Sequence, residues 1–155
     1  MRVIRCKDYD DMSRKTANII SAQVILKPNA KLGLATGTTP IGAYEQLIKW
    51  YNKGDVDFAE VTTYNLDEYL GLSGDDKQSY RYFMDHTFSN YINSYKANTP
   101  VPNGAATDPE AACRDYDELM AQAGSLDLQL LGIGRNGHVG FNEPGDSFSK
   151  GTHVV

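Results

Sequence analysis

The stretch from Leu126 to Gly145 constrains this chain more than any other. Leu126, Leu128, Leu130, Leu131 and Ile133 have the apolar density of a strand buried inside a parallel sheet. Gly132 and Gly134 then let the backbone turn sharply where a Cβ would clash. A buried strand needs sheet neighbours and helical cover, and open sheets of that type bind ligands at the carboxyl ends of their strands. The loop leaving this strand carries His138 and, five residues on, Glu143. A carboxylate at that separation on a bent loop can orient an imidazole or share a proton with it. The plainer alternative is a histidine that only ties its own loop together beside a solvated glutamate. A glycine-rich loop at the end of a buried strand favours the functional reading.

Residues Gly132 to Gly137, GIGRNG, also satisfy the GxGxxG pattern of dinucleotide-binding folds. That pattern works when a helix begins within the glycines and an acidic residue follows about 20 positions later. Here the run continues as HVGFNEPG and the sequence given ends at Val155. A nucleotide-binding module without catalysis is therefore the weaker reading.

The remainder of the chain alternates strand and helix signals with no low-complexity linker, as a parallel sheet wrapped by helices requires. Met1 to Cys6 is a short strand candidate. Asp8 to about Lys27 has Met12, Ala17, Ile20 and Val24 at helical spacing, and Pro28 with Asn29 ends it. Lys31 to Ala35 predicts a strand, followed by a helix with Tyr44, Leu47, Ile48 and Tyr51 on its inner face. Thr39 suits the N-cap of that helix, Pro40 its first position and Gly54 its stop. Glu60 to Leu66 predicts the next strand, Ser79 to Ile92 a helix, Asp108 with Pro109 to about Gln122 another, closed near Gly124. Leu126 to Ile133 is the last strand.

Two further strand ends hold chemistry. Leu32 to Gly42, LGLATGTTPIG, joins a strand, a turn of small hydroxyl and glycine residues and a helix start. Such a junction aims backbone NH groups and a positive dipole end at one point, which suits a phosphate. The turn lacks the Lys-Ser/Thr pair of a Walker loop, so a nucleoside triphosphate is not required. An ordinary helix start without a ligand is the alternative. Tyr64 to Leu72, YNLDEYLGL, places Asp67 and Glu68 side by side. Two adjacent carboxylates cannot both be buried as charges, so one is expected to face the cleft and the other a helix end or solvent. Either could be a general base, and a solvated acidic turn is the bland counterpart. Because all three segments end strands, they can converge on one cleft.

Composition narrows the partners. The chain has 155 residues, 41% of them hydrophobic, and 15 basic against 20 acidic residues for a net charge of −5. That length suits one domain with a substantial core. The acidic balance argues against nucleic acid or an anionic membrane as partner. No signal peptide is visible, and no apolar run approaches the roughly 20 residues of a membrane span. Cys6 and Cys113 lie far apart, and His86, His138 and His153 show no paired spacing. No metal site is expected, and a reducing cytoplasm is the simplest home for the thiols.

Taken in order, LGLATGTTPIG, NLDEYLGL and LGIGRNGHVGFNEPG closely resemble the glucosamine-6-phosphate deaminase family. The likeness runs across essentially the whole chain, with spacer helices of suitable length. It implies an open, mostly parallel, Rossmann-like α/β sheet with helices on both faces, a sugar-phosphate substrate, cytoplasmic amino-sugar catabolism and no cofactor, and it leaves a homo-oligomer open. It implies Asp67 as the base that moves a proton between carbons 2 and 1, and His138 as the ring-opening residue. Glu143 would hold His138. Asn136 stands where many members carry Asp, and is expected to accept from the imidazole and fix its tautomer. Thr36, Gly37, Thr38 and Thr39 match the segment around the 6-phosphate, with Glu68 and Gly137 also on the substrate side. The related 6-phosphogluconolactonases share a phosphate loop but lack the NLDEY and GFNEPG segments, and form the runner-up enzyme reading.

The family pattern continues beyond Val155, so residues 1–155 are expected to form a single α/β domain whose C-terminal portion, with further basic phosphate ligands, is missing. A cut there should leave a strand edge unpaired and apolar surface, Phe141 and Phe148 included, open to water. The 155-residue polypeptide alone is accordingly expected to be inactive, and to self-associate or be partly disordered after Phe141.

Overall fold

A computed structural model describes residues 1–147 and 149–155; Phe148, expected on the exposed surface, lies outside the described residues. The first helix, α1 (Tyr9–Leu26), begins where Asp8 accepts a hydrogen bond from the Asp11 NH. Its buried positions, Ser13, Ala17, Ile20 and Val24, recur at the three-to-four-residue interval that keeps one helix face inward. Strand β1 (Lys31–Leu34) follows, then α2 (Ile41–Lys53), β2 (Thr62–Asn65), α3 (Tyr80–Thr87), α4 (Pro109–Ala123) and β3 (Leu128–Gln129).

The three strands are parallel in the order β2-β1-β3. Gly54 ends α2 at φ 83°, a left-handed conformation in which a side chain would be strained. Asp108 caps α4 by accepting from the Ala111 NH, with Pro109 in the first turn. The connection from β1 to β2 runs one way across the sheet and that from β2 to β3 runs back past β1. Right-handed crossovers in opposite directions put α2 and α4 on opposite faces, while α3 packs Met84 into the core on the α2 side. Side chains agree. Leu32 and Leu34 join Ala17, Ile20, Tyr44 and Leu47 in the core beneath α1 and α2. Gly33 and Tyr64, alternating to the other face, are paired in register and look toward α4.

The core on the first face is built around aromatic rings. Tyr44 stacks on Phe88 at 5.0 Å and Phe58 meets Phe88 edge-on at 5.5 Å. Each of these three rings is essentially inaccessible to water, and burial of such a side chain stabilises by about 1.5–3 kcal/mol. This packing makes β1 and β2 a rigid base for the loops at their carboxyl ends.

Several expected boundaries shift. Met1–Cys6 is exposed and pairs with no described strand. The helix expected from Ser79 to Ile92 ends at Thr87 and is followed by a single 3-10 turn at Ser89–Tyr91. Strand β3 is far shorter than Leu126 to Ile133: its hydrogen bonds to β1 run from the Asp127 NH to the Leu130 NH and stop there. Within residues 1–155 Leu131 is 50% exposed and Ile133 80%, apolar side chains left uncovered beyond the last bond to β1. Thr39 is not the cap of α2. Pro40 occupies that place without a side-chain bond, and the Tyr9 hydroxyl from α1 accepts from the Gly42 NH instead.

Candidate active site

The parallel sheet brings the ends of β1, β2 and β3 to one edge, so the three loops singled out in the sequence share one end of the molecule. The β1 loop turns at Gly37, with φ at 90°. Thr38 and Thr39 are exposed beside it and Thr36 is half-buried. Among the described residues nothing accepts from the NH groups of Gly37, Thr38, Thr39 or Ile41, which leaves four donors at the N-terminus of α2 for an anion. Tyr9 fixes this loop from behind: its hydroxyl donates to the Thr38 carbonyl at 3.2 Å while accepting from Gly42. Gly42 has to be small, because a Cβ there would press on Ser13 and Tyr9 of α1.

At the end of β2 the paired carboxylates separate as the desolvation argument requires. Glu68 turns to α3 and accepts from the NH groups of Tyr80 at 2.8 Å and Arg81 at 2.9 Å. Both its oxygens are engaged there, so Glu68, expected on the substrate side, is anchored at the helix end. Asp67 is left half-buried on the cleft side. Loss of water pushes its carboxyl up to about 6; the adjacent Glu68 charge adds to this and His138 opposes it. A carboxylate in that condition suits a general base near neutral pH.

The β3 loop folds over on itself. Gly134 donates to the His138 carbonyl at 2.9 Å, and the Gly137 NH donates to Gly134 at 3.0 Å. A Cβ on Gly134 would lie 2.8 Å from the imidazole, so the ring rests directly over this glycine. His138 Nδ1 lies 2.9 Å from Glu143 Oε1. The two are in ion-pair range, but the ring N–H is not aligned for a good hydrogen bond. Asn136 does not accept from the imidazole as expected. Its amide donates to Glu143, and its oxygen receives the backbone NH of His138 at 3.3 Å. Being neutral and bidentate, it fixes both partners of the pair from the side instead of forming one end of a relay. Gly137 reaches φ 90° in the turn and offers no side chain to the cleft.

The second and third loops meet at Gly140, where a Cβ would stand 3.5 Å from Asp67 Oδ2. Asp67 and His138 therefore face one space. Aromatic residues not expected at the site close its side: Tyr69, Tyr80 and Phe141 form a cluster with centroids 4.9 to 6.0 Å apart. Phe141, expected to be open to water, is half-covered by these two tyrosines. Tyr80 also lies beside the Thr36 hydroxyl and Asp67, and burial pushes its phenol well above the ordinary range, so it links all three loops as a neutral group. The available signals were Tyr69 inside the NLDEY segment and Ser79, whose hydroxyl caps α3 by accepting from the Tyr82 NH and so sets Tyr80 at the first turn. A cavity of about 560 Å³ opens behind Asp67, lined by Tyr64, Tyr116 and Gln129. It holds neither His138 nor the β1 loop, so it adjoins the candidate site without being its centre. Among the described residues no group of three or more His, Cys, Asp and Glu side chains is arranged to hold a metal ion.

Residues 8–141 match the glucosamine-6-phosphate isomerases/6-phosphogluconolactonase family. The chain belongs to that family. It is similar to the glucosamine-6-phosphate deaminase of Lachnoclostridium phytofermentans, 61% identical over this whole chain and 66% of that protein. The corresponding Clostridioides difficile protein is 54% identical, with 62% of its length covered. A solved structure of a monomeric glucosamine-6-phosphate deaminase superposes with a TM-score of 0.97 at 50% identity, over 100% of this chain and 64% of that one. The 6-phosphogluconolactonase of Plasmodium vivax, at 24% identity and a TM-score of 0.73 over 90% of this chain and 50% of that one, shares the fold alone. This member of the family thus spans about two thirds of the length of the curated relatives it matches. The Gly132–Gly137 run opens no helix and leads into a tight bridge between Val139 and Asn142, which removes the basis for a dinucleotide site.

Proposed function

We propose that this protein acts in a glucosamine-6-phosphate deaminase, converting glucosamine 6-phosphate and water to fructose 6-phosphate and ammonia. The observation that carries this reading is the meeting of Asp67 with the His138 loop at Gly140. It sets a partly desolvated carboxylate and an imidazole-carboxylate pair against one cleft, beside a loop of free NH donors. Deaminases 50–61% identical over the full chain support the choice of substrate. Deamination of this sugar needs two kinds of proton movement, and the site offers a group for each.

His138, held between Gly134 and Glu143, takes the proton of the anomeric hydroxyl and returns one to the ring oxygen, opening the sugar. Glu143 stabilises the imidazolium formed in passing, and Asn136 keeps that carboxylate in place. Asp67 then abstracts the proton from carbon 2 and delivers one to carbon 1, a transfer favoured by its raised proton affinity. Water adds to carbon 2 of the resulting imine and ammonia leaves, giving the ketose. Thr36, Gly37, Thr38 and Thr39 hold the 6-phosphate on backbone NH and hydroxyl groups at the start of α2.

No helix among the described residues is long and apolar enough to cross a membrane. The reading places the protein in the cytoplasm, acting on a small sugar phosphate with neither nucleic acid nor membrane as partner. The test uses the full-length gene product and measures ammonia and fructose 6-phosphate together. Stoichiometric release of both from glucosamine 6-phosphate is expected. Acid release from 6-phosphogluconolactone without ammonia would replace this reading with the lactonase one.

A further inference from the structure

The neighbour of the proposed base is more tightly held than the base itself. Glu68 receives the NH groups of Tyr80 and Arg81 from the first turn of α3, and the Tyr69 NH at 2.8 Å from its own turn. Ser79 takes the Tyr82 NH at the same helix end, so side chains satisfy three donors that would otherwise be open. From behind, the Gly104 loop closes on the turn. The Gly71 NH donates to the Gly104 carbonyl at 2.7 Å, and a Cβ on Gly104 would lie 2.9 Å from Glu68 Cγ. Glu68 can therefore neither swing into the cleft nor retreat from it.

We propose that Glu68 is a positioning residue for Asp67, clamping the β2 turn to α3 so that one carboxylate of the pair faces the cleft while the other stands behind it as a fixed negative charge. The proposal rests on the reading of Asp67 as the base. Past the bend at Leu66 the two side chains meet different neighbours, Glu68 the NH groups of α3 and Asp67 Oδ2 the Gly140 turn; anchoring Glu68 to the helix thereby holds Asp67 on the cleft side. The same bonds set Tyr80 in the aromatic cluster beside Asp67 and Thr36, so one carboxylate registers α3 against two loops. The titratable groups facing Asp67 are Glu68 on its own turn, His138 from the β3 loop, Tyr80 from α3 and Tyr116 from α4. Burial pushes both phenols upward, which keeps them neutral in the working range. Glu68 favours the protonated form of Asp67 and His138 the ionised form, with burial the largest influence.

The test compares Glu68→Gln and Glu68→Asp with wild type in the full-length gene product, using pH profiles of ammonia release from glucosamine 6-phosphate, KM, Tm and a carboxyl ¹³C titration of Asp67. Glu68→Gln removes the charge and turns one acceptor into a donor facing an NH group. Its acid limb of kcat/KM is expected to move to lower pH by roughly 0.5–1 pH unit, with kcat down about tenfold and KM nearly constant. Glu68→Asp keeps the charge but is too short to reach both NH groups, so kcat falls while the acid limb remains near the wild-type pH. A Gln variant whose Tm falls while limb and kcat hold would reduce Glu68 to a helix cap, and a rise in KM alone would make it a substrate ligand. Either overturns the proposal. Wild-type protein that releases no ammonia overturns the functional reading instead. In that event the ¹³C titration still decides about Glu68: the Asp67 midpoint drops in Glu68→Gln if the proposal holds, and an unmoved midpoint refutes it.

Discussion

Replacing Asp67 by Asn should stabilise the protein at alkaline pH and do so progressively less on acidification. The folded protein holds the Asp67 proton up to about pH 6 against an ordinary 3.8. Its contribution to stability is therefore fully present below the ordinary value and is lost as pH rises through about 6. At about 1.4 kcal/mol per pH unit that displacement corresponds to roughly 3 kcal/mol. Asp67 is partly open to solvent, and screening reduces the expected effect to roughly 1–2 kcal/mol. Asn mimics the neutral carboxyl in size and polarity and does not titrate. The Tm difference, Asn minus wild type, should therefore widen by about 2–8 °C between pH 4 and pH 8 for a chain of this size. Melts followed by far-ultraviolet circular dichroism at several pH values supply the comparison, and any pH-independent cost of the amide cancels within it. A difference that stays constant over that range would show that Asp67 is not desolvated in the folded protein.

Three other perturbations probe the remaining loops. His138→Gln should slow turnover of the cyclic sugar more than that of an open-chain analogue, since ring opening is the step it serves; equal slowing would place the histidine elsewhere. Gly140→Val puts a β-branched residue at φ 61° with its Cβ 3.5 Å from Asp67 Oδ2, and should cost about 1–3 kcal/mol of stability along with most of the activity, read by melting and by ammonia release. Tyr9→Phe strips the Gly42 NH of its acceptor and should lower stability by about 1 kcal/mol while raising KM for the phosphorylated sugar more than it lowers kcat, as steady-state kinetics would show.

The order of elements and the convergence of the three loops were legible because both follow from local pattern. Asp8, Asp108, Pro109 and Gly54 punctuate helices through their own backbone preferences. A parallel sheet then fixes which loop ends are neighbours. What depended on distant partners was not legible. The cap of α2 comes from Tyr9, 33 residues away from the NH it serves, and no propensity of Thr39 could reveal it. The apolar run continues through Leu131 and Ile133, yet within residues 1–155 its pairing stops at Leu130, because the length of a ladder depends on which neighbours are present. The aromatic cluster draws Tyr69, Tyr80 and Phe141 from three separate segments, so spacing alone could not assemble it. The opposite directions of Asp67 and Glu68 were expected from the cost of burying two charges. Which of them faced the cleft was decided by the NH groups of α3.

The central claim is that Asp67 performs the proton transfer that turns the aldose into the ketose. Steady-state kcat for ammonia release by Asp67→Asn, measured on full-length protein whose melting confirms folding, tests it most directly. A fall of roughly 10²–10⁴-fold in kcat is expected for loss of a general base; an unchanged kcat would contradict the account.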